Sequence, residues 1–242
     1  MTDAFHKLPL MFDQQRLTAD LNTILERPWL DHVNNSVHNG EWNVLPLRSV
    51  DGGLDNGAVV ESDPERYQNT AYLEQCDYFQ EILTSLNCTL VSARLMRLKA
   101  GGKIRRHNDN SLSFEDGCAR LHIPIQTHQQ VTFHINDHPI HFAVGECWYM
   151  NANYFHQVEN NSPIDRVHLV IDCMVNNWLK TLFFNSGYET TAIDHPYGSA
   201  GINDDNVWQI IDQLIHLNTP TANEMAQSLQ TKWQQNKRTK NT

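Results

Sequence analysis

The 242-residue chain carries 18 Lys and Arg against 28 Asp and Glu, a formal charge of −10, which argues against broad nucleic-acid or anionic-membrane binding. Hydrophobic residues make up 40% of it, too many for disorder and enough for a core that needs no disulfide staples. No apolar run can span a bilayer, and the opening MTDAFHK lacks the charged-then-apolar pattern of an export signal.

In chain order, Leu17, Leu21, Ile24 and Leu25 recur at helical spacing, and Pro28 ends the run. Residues 42–46 are strand-like. Residues 48–64 contain DGGLDNG and read as a loop, either a lid or an insertion, with no phosphate-binding glycine pattern. Residues 78–86 suggest a second helix. From Thr89 the period becomes two. TLVSARLMRL, CARLHIPIQT, VTFHI, PIHFAV, ECWYMN, YFHQVEN and DRVHLVIDC are short strand-like runs, and Asn136-Asp137 suits a tight hairpin between two of them. Closely spaced strands without intervening helices imply a sandwich or barrel. Helical spacing returns after Cys173, with one stripe at Val175, Trp178, Leu179, Leu182 and Phe183 and another at Val207, Ile210, Ile211, Leu214 and Ile215. Thr221 with Glu224 resembles a capping box for a last helix. The expected organisation is an N-terminal helical or mixed region (1–88) packing on a β core (89–173), then a helical C-terminal segment (174–242). The apolar stripes of that last segment suit a core or the face of a homodimer. Five scattered cysteines form no CxxC and read as reduced core fillers, which points to the cytoplasm.

The polar residues of the β region carry the chemistry. His107 and Asp109 are two apart, so on extended chain both project from one face. Alone, an HxD is as well explained by a surface loop. His156 begins a later strand, and two His with one carboxylate from separate strands suit the facial triad of a non-haem Fe(II) site, which leaves coordination positions open. In DRVHLVIDC, Arg166 and His168 share a face opposite apolar Val167, Leu169 and Ile171. CARLHIPIQT repeats the device with Arg120 and His122 opposite Leu121, Ile123 and Ile125. Such R-x-H pairs are either solvent-face charges of an open sheet or anion-binding groups lining a lumen.

Taken together and in order, SARLMRLKAGGKIRRHND, RLHIPI, GECWYMN, FHQVEN and DRVHLVID resemble the aspartyl/asparaginyl β-hydroxylase-type 2-oxoglutarate dioxygenases, especially the bacterial free-proline hydroxylases (cis-4 and cis-3). The resemblance covers about residues 90–178. It implies a double-stranded β-helix (jelly-roll, cupin-like) core. It implies iron ligation by His107, Asp109 and His156, and pairing of Arg166 with the distal carboxylate of 2-oxoglutarate. Arg120, His122 and His168 are expected to line the same pocket. The implied reaction is Fe(II)- and O2-dependent hydroxylation of a small, proline-like amino acid, with succinate and CO2 as co-products. One branch of the family has Gly at the position of Asp109. The carboxylate here sides with small-molecule substrates over peptidyl Asp/Asn hydroxylation. A non-catalytic cupin-type sensor of metal and carboxylate is the reading from a different class.

Other polar residues are given bland readings. Arg94 and Arg97 have opposite parity, so only one can face a lumen, and a surface role is expected. Arg105 and Arg106 read as solvated charges beside the motif. His134, His138 and His141 surround the hairpin and read as surface histidines.

Overall fold

Alternation along the β region produces two antiparallel sheets that share an interior. The protein is described here by a computed structural model covering residues 4–59, 63–109, 113–189, 197 and 202–240. The chain forms two compact units, 1–190 and 191–242.

The first unit runs β1 (Phe5–Met11), α1 (Gln14–Ile24), β2 (Leu30–Asp31), β3 (Trp42–Val50), β4 (Tyr67–Asn69), α2 (Asp77–Ser85), β5 (Leu90–Leu98), β6 (Lys103–His107), β7 (Cys118–Gln126), β8 (Val131–Ile135), β9 (His138–Ile140), β10 (Glu146–Met150), β11 (His156–Asn160), β12 (Arg166–Met174) and α3 (Asn177–Asn185). The larger sheet has the order β1-β10-β7-β12-β5-β3-β2, with β4 on β3, and the smaller is β6-β11-β8-β9. This is the expected double-stranded β-helix. The first 88 residues are less helical than their sequence suggests. They add β1, β2, β3 and β4 to the larger sheet; of the segment read as a loop, residues 48–50 are the end of β3, where Val50 pairs with Tyr67 of β4, and residues 60–62 lie outside the described residues.

Each long strand of the larger sheet has two dissimilar faces, as side-chain alternation requires. Outward, Leu45, Leu95, Leu121, Leu169 and Ile171 join one core with Leu17 and Leu21 of α1, Phe79 and Ile82 of α2, and Phe183 of α3. Inward, Met96, Leu98, Met150 and Val170 meet Ile104, Phe133 and Val158 of the smaller sheet in a second core. Asp13 caps α1, its carboxylate accepting from the Gln15 and Arg16 amides at 2.9 Å. Asn136 and Asp137 adopt φ +48° and +62°, the left-handed turn that joins Ile135 to its partner His138.

The second unit contains α4 (Val207–Leu217) and α5 (Pro220–Lys240), with a core of Tyr197, Val207, Ile211, Ala226 and Leu229. The last helix begins two residues earlier than expected. Thr219, not Thr221, supplies the cap, its Oγ1 accepting from the Ala222 amide at 3.2 Å, and Pro220 takes the first helical position. No helix among the described residues is long and apolar enough to cross a membrane.

Candidate active site

His107 ends β6 and His156 opens β11, and the two strands pair so that these residues are direct cross-strand partners. Their rings lie 4.3 Å apart. Asp109 follows β6, its amide donating to the Ala152 carbonyl at 2.9 Å. One ligand-type atom from each of His107, Asp109 and His156 lies within 4.8 Å of the other two. Each imidazole is oriented by backbone. His107 Nδ1 is 2.8 Å from the Arg105 carbonyl and His156 Nδ1 is 3.0 Å from the Tyr154 carbonyl. A carbonyl can only accept, so both Nδ1 atoms carry the proton and both Nε2 atoms offer lone pairs. His107 Nε2 is buried and without a partner. Burial, then the His107 ring, pushes His156 down to about 4, so it is neutral at pH 7. Two imidazole Nε2 atoms and a carboxylate fit a divalent metal such as Fe(II) and leave room for further ligands.

Asp109 is the last link in a buried chain of alternating charge. Arg120 Nη1 donates to Asp109 Oδ2 at 2.8 Å, while its Nε and Nη2 donate to Asp172 at 2.7 and 3.2 Å. Asp172 also accepts from Arg94 Nη2 at 2.8 Å and from Ser92 at 3.0 Å. Burial alone raises the Asp172 carboxyl, but Arg120 and Arg94 more than reverse this and hold it well below the usual carboxylate range. Asp109 is likewise held down, Arg120 and the two imidazoles outweighing burial.

Arg166 behaves differently. It opens β12, is 2% exposed, and its Nε has no partner. No carboxylate pairs with it among the described residues, and burial lowers its guanidinium to about 10. His122 and His168 lie beside it, with Nδ1 atoms 3.3 Å apart. Burial, then Arg120 for His122 and Arg166 for His168, pushes both imidazoles well below 6.5. Both are neutral, so one Nδ1 donates to the other. His122 Nε2 is buried and unpartnered.

A cavity joins these groups. Trp42, Met96, Ile104, Phe133, Met150 and Val158 form its apolar wall, and His107, Asp109, Arg120, His122, His156 and Arg166 its polar one. Every site residue named from sequence therefore lies at the cavity except His168, which stands behind His122. Arg94 is a correction. It was expected at the surface, but its parity on β5 turns it inward, where it is 4% exposed and committed to Asp172. Arg97, on the opposite face, lies over the Trp29 ring at 4.3 Å. His138 and His141 are exposed and His134 is half-buried, and none lines the cavity. The sequence reading missed Asp172 and Trp42. The first was legible, because Asp172 continues the inward parity of Arg166 and His168.

A family model described as aspartyl/asparaginyl beta-hydroxylase matches residues 12–175. L-proline cis-3-hydroxylase 1 of a Streptomyces species is 29% identical over 164 residues, covering 66% of this chain and 56% of that protein. L-proline cis-4-hydroxylase of Rhizobium meliloti (strain 1021) is 28% identical over 163 residues, covering 66% and 57%. The chain thus spans a little over half the length of these curated relatives. Among solved structures, a Pseudomonas putida prolyl-4-hydroxylase aligns over 72% of this chain and 94% of its own, at 10% identity and a TM-score of 0.46.

Proposed function

The chain belongs to the aspartyl/asparaginyl β-hydroxylase family, and from that premise we propose that it is an Fe(II)- and 2-oxoglutarate-dependent dioxygenase that hydroxylates a small, proline-like amino acid. The observation that carries the reading is the pairing of a His107–Asp109–His156 cluster with an uncompensated buried guanidinium, Arg166, in one cavity. A buried cation without a counter-ion is costly unless an anion is meant to meet it.

In this reading His107 and His156 hold iron through Nε2 and Asp109 through a carboxylate oxygen. With 2-oxoglutarate and dioxygen, the iron supplies the oxidising power for C–H hydroxylation, and succinate and CO2 are released. Arg166 receives the distal carboxylate of 2-oxoglutarate in a two-pronged contact suited to a guanidinium. His122, fixed by His168, presents its free Nε2 beside that carboxylate. Arg120 orients Asp109 and places its own charge next to the metal. The apolar wall keeps water from the reacting centre. The presence of Asp109 favours a free amino acid over a side chain of a folded protein. L-Proline is the first candidate, on the precedent of the curated relatives. Five free thiols support a reducing, cytoplasmic setting.

The test is incubation with Fe(II), ascorbate, 2-oxoglutarate and a panel of free amino acids. Succinate together with a product gaining one oxygen supports the proposal. Turnover of peptides but not of free amino acids points to a peptidyl Asp/Asn hydroxylase. Absence of succinate under every condition points to a sensor.

A further inference from the structure

One buried polar group at the cavity remains unaccounted for once the metal and co-substrate are assigned, the Trp42 indole Nε1–H. Trp42 lines the cavity, is 7% exposed, and its Nε1 has no hydrogen-bond partner. A buried N–H left unsatisfied costs folding free energy and calls for a reason.

The surroundings of the indole supply one. His32 stacks flat on it, with ring centroids 3.4 Å apart and planes 14° apart, and His38 meets it edge-on at 5.8 Å. The His107 ring lies 5.9 Å from the indole. The flanking histidines are themselves fixed. His32 Nδ1 accepts from the Asn34 amide at 3.2 Å, and His38 Nε2 donates to the His32 carbonyl at 3.1 Å. The main chain adds a third tie, the His32 amide donating to the Trp42 carbonyl at 3.0 Å. The indole plane is therefore set by a stack whose members are tied by three hydrogen bonds to backbone.

The chemistry of this corner selects what the N–H can meet. An indole N–H only donates, so it repels an ammonium and accepts a carboxylate. Arg94 and Arg120 both bear on His32, the ring stacked on the indole, and their one shared counter-ion is Asp172; the other acid on Arg120 is Asp109, a member of the metal cluster. The same two guanidiniums help burial to push His32 down to about 3, so the stacked ring is neutral and adds no competing charge. Trp42 and Arg94 lie on the inward faces of the paired strands β3 and β5. Apart from the metal-cluster groups and the His122 ring, the side chains lining the cavity offer the indole no nitrogen or oxygen acceptor among the described residues.

We propose that Trp42 determines substrate specificity, its indole N–H donating to a carboxylate oxygen of the amino-acid substrate, and that His32 is a positioning residue that holds the indole by stacking. This rests on the hydroxylase reading and adds to it that the free carboxyl end of the substrate is read at Trp42.

The experiment compares L-proline with L-prolinol, which lacks the carboxylate, as competitors for the metal- and 2-oxoglutarate-loaded enzyme. Trp42→Phe keeps the ring and removes the donor. It should weaken L-proline about tenfold or more while changing L-prolinol little, so the preference for the acid falls. The ratio is insensitive to a partly unfolded sample, which scales both ligands together. If Trp42→Phe fails to fold, His32→Ala reads the same ratio, and a fall of a few-fold is expected. An unchanged ratio in the folded variant overturns the assignment of Trp42 and leaves the proposed activity standing. No succinate from the unsubstituted protein under any condition overturns both.

Discussion

Arg166 differs from the other buried guanidiniums in having no carboxylate partner among the described residues. Arg94 and Arg120 are also buried, but they share Asp172 as a counter-ion and Arg120 pairs with Asp109 as well. For Arg166, the fall from 12.5 to about 10 corresponds to about 3 kcal/mol of folding free energy lost at neutral pH. Arg166→Met should therefore leave the ligand-free protein as stable as before or raise its unfolding midpoint, by about 1–3 kcal/mol. The same change should raise the 2-oxoglutarate concentration needed for half-maximal turnover at least about tenfold. A lower midpoint with an unchanged requirement would reveal an existing counter-ion and remove Arg166 from this role. Asp109→Ala and His156→Ala should each abolish turnover without loss of far-ultraviolet dichroism. Near-normal succinate from either misplaces the metal. These residues were legible in the sequence because a charged side chain opposite an unbroken apolar face has few places to point. Trp42 was not, because its importance lies in a missing hydrogen bond and in contacts with His32 and His38 that only the folded chain creates.

At the scale of elements, strand periodicity was readable wherever both faces carried a clear pattern. β1 escaped notice because FHKLPLM carries Pro9 and alternates poorly, yet it pairs with β10 from Phe5 onward. Proline rules mislead for inner strands as well. Pro46 and Pro124 lie in the central strands β3 and β7, each beside a register shift that removes the need for a ladder donor. Gly145 shows the reverse, a position where sequence and geometry agree. Its φ is +81°, its amide donates to the Pro124 carbonyl at 2.9 Å, and an added Cβ would lie 2.5 Å from the Phe12 carbonyl oxygen. Gly145→Ala should destabilise the protein by about 2 kcal/mol or more, read as a lower denaturation midpoint. A change below about 0.5 kcal/mol would show that the β1–β10 junction yields readily.

Across the whole molecule, burial has placed several imidazoles where they stay neutral. His122 and His168 lie well below 6.5, and His32 is pushed down to about 3. In the unfolded chain all three bind protons below about pH 6.5. The unfolded state then holds more protons, so stability falls as the pH drops below that point, by up to about 1.4 kcal/mol per pH unit for each ring. Denaturant midpoints at pH 7.5 and 5.5 should differ accordingly, and equal midpoints would mean these rings titrate freely in the folded protein. Among the described residues, the two cores of the first unit draw on none beyond Tyr188, and the second unit has its own. A chain ending at residue 190 should consequently unfold in a single cooperative transition, which calorimetry can check. Loss of that transition would show that the later helices are required for folding.

The two-faced strands have an evolutionary corollary. In β5, β7 and β12 one set of alternate residues packs the outer core and the other faces the chamber. Mutation can therefore rewrite the inner lining by exchanging alternate positions while the outer packing stays as it is. Chamber positions such as Met96 and Phe133, which also pack in the second core, are accordingly best exchanged for apolar residues of similar volume.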